Sequence, residues 1–406
     1  MILEGGFSIT SDTVPQITMQ TESALRFFQN FAIKNLDQDA RDLGLYAEVN
    51  LGRDLKGRFA SFTTPKHLLT ARANGCTWNP KGGVRLNISE FPTCPVEYDG
   101  EQCPDVFYGT CFERLFAPGS LTPLTESAEA QQVLGQMLER IYLGLGNSFY
   151  SLYNFANHPI IEQVNTTGTY AVDTVEWADY YGQQMSGECG GLITQLDALK
   201  EDDFYNQYYN LVIATGSEGI DLTTDKYVGD ITELFEALVD AASPELKIAI
   251  NRGVNVDGRM LKPVILVTTA EFNAYKKYIK DMAPNNELAY RYMIEMSDGT
   301  TRLSKNVMEW EGLPVITWEA NTEFDAITGV KSHRAAIVTP GSWGVLSNVE
   351  DVSNRLFSGV GLVVQQSTQL NDKGKVFMST TFRWGAAIAD PKMAVMASRI
   401  IRNVPA

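Results

Sequence analysis

One long helical pattern constrains the fold of this chain more than any other feature. Between Thr122 and Asn157, apolar residues recur every three or four positions, as one face of an amphipathic helix requires. They are Leu134, Leu138, Ile141, Leu145, Phe149 and Leu152. Pro123 or Thr125 can begin the helix, and it should end before His158. About 30 residues at 1.5 Å each predict a helix of roughly 45 Å.

The second half of the chain alternates between strand and helix patterns. Asp230 and Glu233 have the spacing of a capping box, which predicts a helix with Leu234, Phe235 and Leu238 inward. An apolar strand (263–269) is followed by a second helix. Strand-like stretches then follow at 312–320, 335–346 and 359–367. The last unit, 380–398, resembles a hairpin with a turn at Asp390-Pro391. The alternation favours an α/β lobe.

The first part of the chain predicts extended structure. Residues 1–20 show little periodicity, and a short helix is predicted at 22–34. The stretch 78–88 contains the turn signal Pro80-Lys81-Gly82-Gly83 between two strand-like pieces. We therefore predict a long hairpin there, with these four residues at its tip.

The charge and composition of the chain exclude several classes of protein. Its 406 residues carry a formal net charge of −16, and no block of Lys and Arg suits extensive nucleic-acid binding. Hydrophobic residues make up 44%, which is enough for a real core. The N-terminus lacks the pattern of a secretory signal, and no apolar run approaches the ~20 residues of a membrane span. These features predict synthesis in a reducing compartment.

Candidate catalytic and metal-ligating residues are sparse. The five cysteines, Cys76, Cys94, Cys103, Cys111 and Cys189, lack the short pair spacing of common zinc sites. Small buried thiols without a metal are therefore expected. The three histidines, His67, His158 and His333, have no metal-ligand spacing and are expected to be structural. Cys189 lies among glycines that would let a substrate approach, so with a histidine it is the core of an enzyme hypothesis.

Several segments, in order, carry a resemblance to a known family. One is Glu311 to Ile316, with a Gly-x-Pro-Val strand pattern, and another is the strand that follows it, Arg334 to Leu346. The third, Phe377 to Ala397, contains Phe382-Arg383-Trp384-Gly385 and Asp390-Pro391. Gly191-Leu192-Ile193 also fits. Together these segments resemble the major capsid proteins of tailed double-stranded-DNA phages, whose fold is shared by encapsulins and the herpesvirus capsid floor. The resemblance covers roughly residues 70–406, and the order of the segments gives it specificity.

The resemblance implies an α+β chain with the tailed-phage major-capsid fold. Residues 1–70 would form an N-terminal arm and short helix, and 71–121 an extended β-hairpin loop that contains cysteines. Residues 122–204 would form a peripheral domain with the long helix as its spine, and 205–368 an axial domain. Residues 369–406 would return to the peripheral domain and complete its sheet.

The implied function is assembly rather than catalysis. Copies of the chain would form hexamers and pentamers of an icosahedral shell in the virion, made in the cytoplasm of a bacterial host. The expected partners are other copies, a portal protein, a separate scaffolding protein, and auxiliary capsid or head-fibre proteins. Double-stranded DNA would be enclosed without sequence-specific binding, and no membrane, cofactor or metal is expected. The N-terminus shows no long charged helix of the kind that some relatives cut away, so the chain should begin at or beside Met1 in mature particles.

Two alternatives stay open from the sequence. An encapsulin-like or gene-transfer-agent shell would keep the fold but not the virus. An intracellular enzyme of unknown type would need polar groups that converge on one site. In the favoured interpretation the contacts between subunits include Pro80, Lys81, Gly82 and Gly83.

Overall fold

The structure is a computed structural model that describes most of the second half of the chain and parts of the first. The described residues are 7–10, 16–19, 37–48, 50–51, 57–63, 85–102, 128–158, 189–256, 258–282, 292–295, 301–304, 307–328, 331–348, 363–366 and 376–401.

The helices of these residues are α1 (Gln38–Asp42), α2 (Ala128–Phe155), α3 (Leu192–Ala198), α4 (Asn206–Tyr209), α5 (Ile231–Ala241), α6 (Pro244–Arg252), α7 (Thr269–Met282) and α8 (Glu319–Thr328). The strands are β1 (Phe7–Thr10), β2 (Gln16–Met19), β3 (Tyr46–Glu48), β4 (Asn50–Leu51), β5 (Gly57–Thr63), β6 (Arg85–Phe91), β7 (Cys94–Gln102), β8 (Leu211–Val212), β9 (Ile220–Asp221), β10 (Lys226–Tyr227), β11 (Val254–Val256), β12 (Arg259–Leu261), β13 (Val264–Val267), β14 (Tyr292–Glu295), β15 (Thr301–Ser304), β16 (Val307–Trp310), β17 (Leu313–Thr317), β18 (Lys331–Val338), β19 (Trp343–Asn348), β20 (Val363–Gln366), β21 (Val376–Ile388) and β22 (Ala394–Ile401).

A six-stranded mixed sheet forms the centre of the molecule. Its strand order is β16-β17-β13-β18-β22-β8, with β13 parallel to β17 and antiparallel to β18. Every residue of β13 is buried, because the two faces of the sheet are both covered. Val264 and Leu266 belong to one apolar cluster, whereas Ile265 and Val267 belong to the other. The continuous apolar run in the sequence follows from this double burial.

Helices cover both faces of this sheet. On one face, α5, α6 and α7 contribute Phe235, Leu246 and Tyr275 to the cluster that contains Ile265. The other face packs against α2, α3 and α8, which contribute Phe149, Leu192 and Phe324. The long helix is therefore a layer of the core, to which Phe149, Leu152 and Phe155 of its C-terminal half contribute buried side chains.

A second sheet extends from the core. Its order is β1-β2-β20-β21-β19-β3, and β7 also pairs with β21. The thirteen-residue strand β21 lies inside this sheet. It pairs with β7 along one edge, and with β20 and then β19 along the other. The N-terminal hairpin β1–β2 joins through β20, where Ile17 pairs with Val364. Part of the predicted N-terminal arm is thus built into this sheet.

Several predicted elements are present. The long helix runs over 28 residues, and Asp230 caps α5 by accepting a hydrogen bond from the Thr232 backbone amide. The second predicted helix is α7, which follows the apolar strand β13 and buries Phe272. The short helix predicted at 22–34 lies outside the described residues.

The prediction of one strand at 335–346 and of a terminal hairpin at 380–398 is wrong. Residues 335–346 contain β18 and β19, which belong to different sheets. Likewise β21 pairs with β7, β19 and β20, whereas β22 pairs with β18 and β8. The Asp390-Pro391 turn, a short 3₁₀ helix capped by Asp390, carries the chain from one sheet to the other. Strand alternation in a sequence cannot show which partner a strand will choose.

The two crossings between the sheets lie side by side. The Ala389 amide donates to the Ser342 carbonyl at 2.8 Å, and the Thr339 amide donates to the Met393 carbonyl at 3.3 Å. The resemblance implied that residues 369–406 return to the peripheral domain and complete its sheet, but these residues do not all enter one sheet. They divide between the sheet of β21 and the central sheet that β13 and β18 also build.

Candidate assembly elements

The extended hairpin is the first element that could act between subunits. β5 pairs with β6 over seven residues, from Gly57 opposite Phe91 to Thr63 opposite Arg85. The hairpin therefore begins within the segment assigned from the sequence to the N-terminal arm (1–70), before the predicted start at 71. Seven strand residues span roughly 24 Å. The predicted tip residues, Pro80, Lys81, Gly82 and Gly83, lie between these strands but outside the described residues.

The base of this hairpin is fixed to the second sheet. After β6 the chain turns at Pro92 and Thr93 into β7, which pairs with β21 from Cys94 opposite Trp384 to Gln102 opposite Val376. Gly385 makes the close crossing possible, because a Cβ there would lie 3.0 Å from the Phe91 ring. The direction of the hairpin is thus set by the body of the molecule.

A disulfide joins the same base to the helical layer. Cys94, at the start of β7, is bonded to Cys189, 95 positions away in sequence, with Cα atoms 6.1 Å apart. The expectation of free buried thiols is wrong for this pair, and Cys189 is not available as a nucleophile in this structure. Sequence spacing missed the bond because only the fold brings the two residues together. Cys76, Cys103 and Cys111 lie outside the described residues.

The end of the long helix holds Cys189 in place. Asn157, two residues after the end of α2, has a φ of 55°. Its side-chain amide donates to the Cys189 carbonyl at 2.8 Å. The Gly191 amide donates to the Ala156 carbonyl at 2.8 Å. A Cβ at Gly191 would lie 2.5 Å from backbone atoms of Asn154 and Phe155. A glycine is needed at this crossing, which explains part of the Gly-rich sequence around Cys189.

A buried arginine ties α3 and α8 to the central sheet. Arg334 of β18 is fully buried and donates to Asn321 Oδ1 at 2.6 Å and to Asp197 Oδ2 at 2.7 Å. Its guanidinium carbon also lies 4.8 Å from the centre of the Phe324 ring. Burial alone would raise the pKa of Asp197, but Arg334, with smaller contributions from its other partners, holds that pKa well below its usual range. No pattern in the sequence indicates that this arginine is buried.

The two described histidines are each paired with carboxylates. His158 Nε2 lies 3.2 Å from Asp197 Oδ2, and burial lowers the pKa of His158 although Asp197 opposes this. His333 Nδ1 lies 2.8 Å from Glu271 Oε1, and Nε2 lies 3.0 Å from Asp225 Oδ1. Burial lowers the pKa of His333, but the two carboxylates outweigh it and the net shift is upward. His67 lies outside the described residues.

A polar cavity of about 430 Å³ adjoins His333. Its hydroxyl and carboxylate groups bond to one another: Ser332 donates to Asp325 and accepts from Arg334 Nη1 at 3.0 Å. Both ring nitrogens of His333 face carboxylates, so the ring does not contact the Ser332 hydroxyl. Among the described residues, no group of three or more His, Cys, Asp or Glu side chains could hold a metal ion. A search of the described residues also found no helix that is long and apolar enough to span a membrane.

A buried carboxyl group joins the N-terminal segment to the long helix. Asp37, which precedes α1, accepts a hydrogen bond from the Tyr150 hydroxyl of α2. Burial raises the pKa of Asp37 to about 7, the Tyr150 hydrogen bond opposes the shift, and the charges of Glu319 and Glu323 add to it. This contact therefore responds to pH in the neutral range.

No family model matches the chain, and no curated protein matches it. Solved structures do match. The procapsid of satellite phage P4 is 9% identical, with 93% of this chain and 98% of that chain covered and a TM-score of 0.42. A structure of Gordonia phage Cozz is 12% identical, with 89% and 86% covered and a TM-score of 0.42. The encapsulin complex from Synechococcus elongatus is 11% identical, with 87% and 83% covered and a TM-score of 0.37.

The names of these structures describe a phage procapsid, a phage and an encapsulin. Similarity at this level leaves the function to be argued from the residues of the chain itself.

Proposed function

We propose that this chain is the subunit of a shell: many copies assemble as hexamers and pentamers into the icosahedral capsid of a tailed phage and enclose its double-stranded DNA. The observation that carries the proposal is the β5–β6 hairpin, which is fixed at its base but pairs with neither large sheet.

Among the described strands, the two strands of the hairpin pair only with each other and with β4. β5 pairs with β6 and with the two residues of β4, and no described strand of either large sheet pairs with it. A hairpin of this kind is marginally stable in water by itself. Its register joins apolar residues, with Phe62 opposite Leu86 and Ala60 opposite Ile88. A neighbouring copy of the chain would supply a surface on which the two hairpin strands pack.

The anchored base makes such a contact specific. Because β7 pairs with β21 and Cys94 is bonded to Cys189, the hairpin leaves the molecule in a defined direction. Each copy would place its hairpin on the next in the same way, which is the requirement for a closed symmetric assembly. A specific contact of this type buries ~800 Å² per partner.

The finer assignments belong to the same proposal. In this interpretation α2 is the spine of a peripheral domain, and the α5–α7 face of the central sheet belongs to an axial domain near the centre of each capsomer. The net charge of −16 suits a shell whose interior does not condense DNA. The proposed partners remain a portal protein, a separate scaffolding protein and auxiliary capsid or head-fibre proteins, and the proposed location is the virion.

An encapsulin-like or gene-transfer-agent shell would use the same hairpin and base. The contents of the particle separate these alternatives, because long nuclease-protected DNA indicates a phage and a protein cargo indicates an encapsulin. The enzyme hypothesis loses the core it had in the sequence, since Cys189 is 3% exposed and lies against Cys94 rather than in an open site.

Removing the hairpin tip tests the role between subunits. Deletion of Pro80, Lys81, Gly82 and Gly83 should reduce particle yield at least tenfold while the melting temperature of isolated subunits changes little. The physical reason is that these turn residues add little to the apolar core of their own subunit, whereas many weak contacts add up in a closed shell. Lys81→Ala, which keeps the loop length, is the control. A melting temperature that falls as steeply as the yield would show that the tip belongs to its own subunit's core.

A further inference from the structure

The disulfide lies at the base of the hairpin, where β6 leads into β7. β6 ends at Phe91, and Cys94 begins β7 only three residues later. Cys189 is 3% exposed and directly precedes the α3 segment that packs on the end of α2. The bond therefore connects the hairpin base to the helical layer, two parts that are 95 residues apart in the chain.

Other contacts at this place do not need the bond. β7 remains paired with β21 over nine residues, and Gly385 still lets Phe91 and Pro92 cross close to β21. On the other side, Gln195 Nε2 donates to the Gly190 and Ala386 carbonyls at 2.7 and 2.8 Å. The two cysteines are consequently held near each other in either redox state. A chain with two thiols should fold, and the bond should add to a structure already formed.

We propose that Cys94 and Cys189 form a redox latch: both are thiols while the chain is made and assembles in a reducing compartment, and they join when the assembled chain meets an oxidant outside it, which fixes the hairpin base to the end of α2. The timing relative to assembly rests on the proposed function. The latch itself is a property of the subunit.

The chemistry requires an oxidant, and a low-molecular-weight disulfide supplies it. The half-buried Cys94 is the accessible member of the pair, so its thiolate attacks one sulfur of the small disulfide and releases one small thiol. The Cys189 thiolate then attacks the Cys94 sulfur and releases the second small thiol. Two protein thiols are oxidised, one small disulfide is reduced to two thiols, and the protons of the cysteines end on these thiols.

The latch should stabilise the subunit because it closes a long loop. A bond across 95 residues restricts the unfolded chain strongly, so oxidation should raise the melting temperature by about 5 °C or more. It should also slow proteolysis of residues 57–91, since the bond would restrict local opening of the β7–β21 pairing at the hairpin base.

The redox state before and after cell lysis tests the timing. Cells that express the chain are treated with a membrane-permeant alkylating reagent before lysis, and a parallel sample is lysed first and exposed to oxidised glutathione. Mass spectrometry of the cysteine peptides should show Cys94 and Cys189 alkylated in the first sample and linked in the second. A link already complete inside the cell, or no link after oxidised glutathione, would overturn the proposal.

Matched variants test the mechanical role. Cys94→Ser, Cys189→Ser and the double variant should fold, lose the melting-temperature rise with oxidised glutathione, and keep the protease sensitivity of the reduced chain. Cys103→Ser, as the control, should keep both oxidation effects. Equal melting temperatures of the oxidised and reduced wild type would refute the latch. The melting and proteolysis measurements use purified subunits, so a chain that latches but never forms particles would contradict the proposed function and not the latch.

Discussion

Individual side chains decide how firmly the layers of this molecule are joined, and Arg334 is the clearest case. It is fully buried and reaches α3 through Asp197 and α8 through Asn321. Removal of one partner from a buried ion pair leaves the other without compensation, which is more costly than the pair is favourable. Arg334 is therefore a central polar link between β18 and the helices α3 and α8.

Substitution of this arginine should destabilise the chain strongly. We expect Arg334→Met, which removes the charge but keeps an unbranched side chain, to lower the free energy of unfolding by about 3–5 kcal/mol in urea denaturation. Lys331→Met is the control, because Lys331 pairs with Asp225 but its side chain is 55% exposed. That change should cost ~1 kcal/mol or less. Similar losses for the two variants would contradict this role of Arg334.

Asp37 gives the junction between the N-terminal segment and α2 a dependence on pH. Its pKa rises from the ordinary value of 3.8 to about 7 in the folded chain. The folded state therefore holds this proton more tightly than the unfolded state. Protonated Asp37 adds to the free energy of unfolding by an amount on the order of 4 kcal/mol. This contribution is complete below about pH 4 and is lost as the pH rises through about 7.

Asp37→Asn removes this titration and keeps the size of the side chain. The stability of the wild type should fall more steeply than that of the variant when unfolding in urea is compared at pH 5 and pH 8. Glu319 and Glu323, whose pKa values burial also raises, stay in both proteins and serve as a common background. Parallel pH profiles of the two proteins would show that Asp37 is not buried as described.

At the scale of elements, the end of α2 and the residue before α3 approach each other so closely that position 191 has no room for a side chain. The clash that a Cβ at Gly191 would make involves backbone atoms of Asn154 and Phe155, which cannot move aside as a side chain can. We expect Gly191→Ala to cost about 1–3 kcal/mol in thermal or urea unfolding. Gly144→Ala is the matched control within α2, where a Cβ meets nothing within 4 Å. It should stabilise the helix by about 0.5–1 kcal/mol, and a loss at both sites would contradict the argument.

The elements differ in how far the sequence predicts them. The spacing from Leu134 to Leu152 predicts α2, and Asp230 marks the start of α5, because helix periodicity and capping are local properties. The partners of β19 and β21 are not local properties, so a split into two sheets was missed at both Thr339 and Asp390. The same reason hid the hairpin strand β5, which lies well before the predicted turn.

The candidate assembly elements show the same difference between local features, which the sequence predicts, and contacts that only the fold creates. The turn residues at the hairpin tip follow from their composition, and their role stays a prediction since they lie outside the described residues. The Cys94–Cys189 bond and the Arg334 network depend on which elements meet in space. Neither has a spacing signal in the sequence. Cysteine spacing was informative only about zinc sites with closely spaced ligands.

At the scale of the whole molecule, two sheets and their helices form one body, and the β5–β6 hairpin is attached to it at its base. The neighbouring crossings at 339–342 and 389–393 join the sheets, and the β7–β21 pairing and the disulfide fix the hairpin to this body. Among the described residues, the hairpin strands pair with each other and with β4 but with neither large sheet. In the proposed function, another copy of the chain supplies the surface on which the hairpin lies.

Electron microscopy of the expressed, purified chain tests this account most directly. Negatively stained samples, with and without a co-expressed scaffolding protein, should contain closed shells, tubes or rings of five and six subunits, and light scattering should give masses of many times 45.0 kDa. In a reconstruction of these particles, the β5–β6 hairpin of each subunit should lie on a neighbouring subunit. Compact monomers under every assembly condition, or hairpins folded back on their own subunit, would contradict the account.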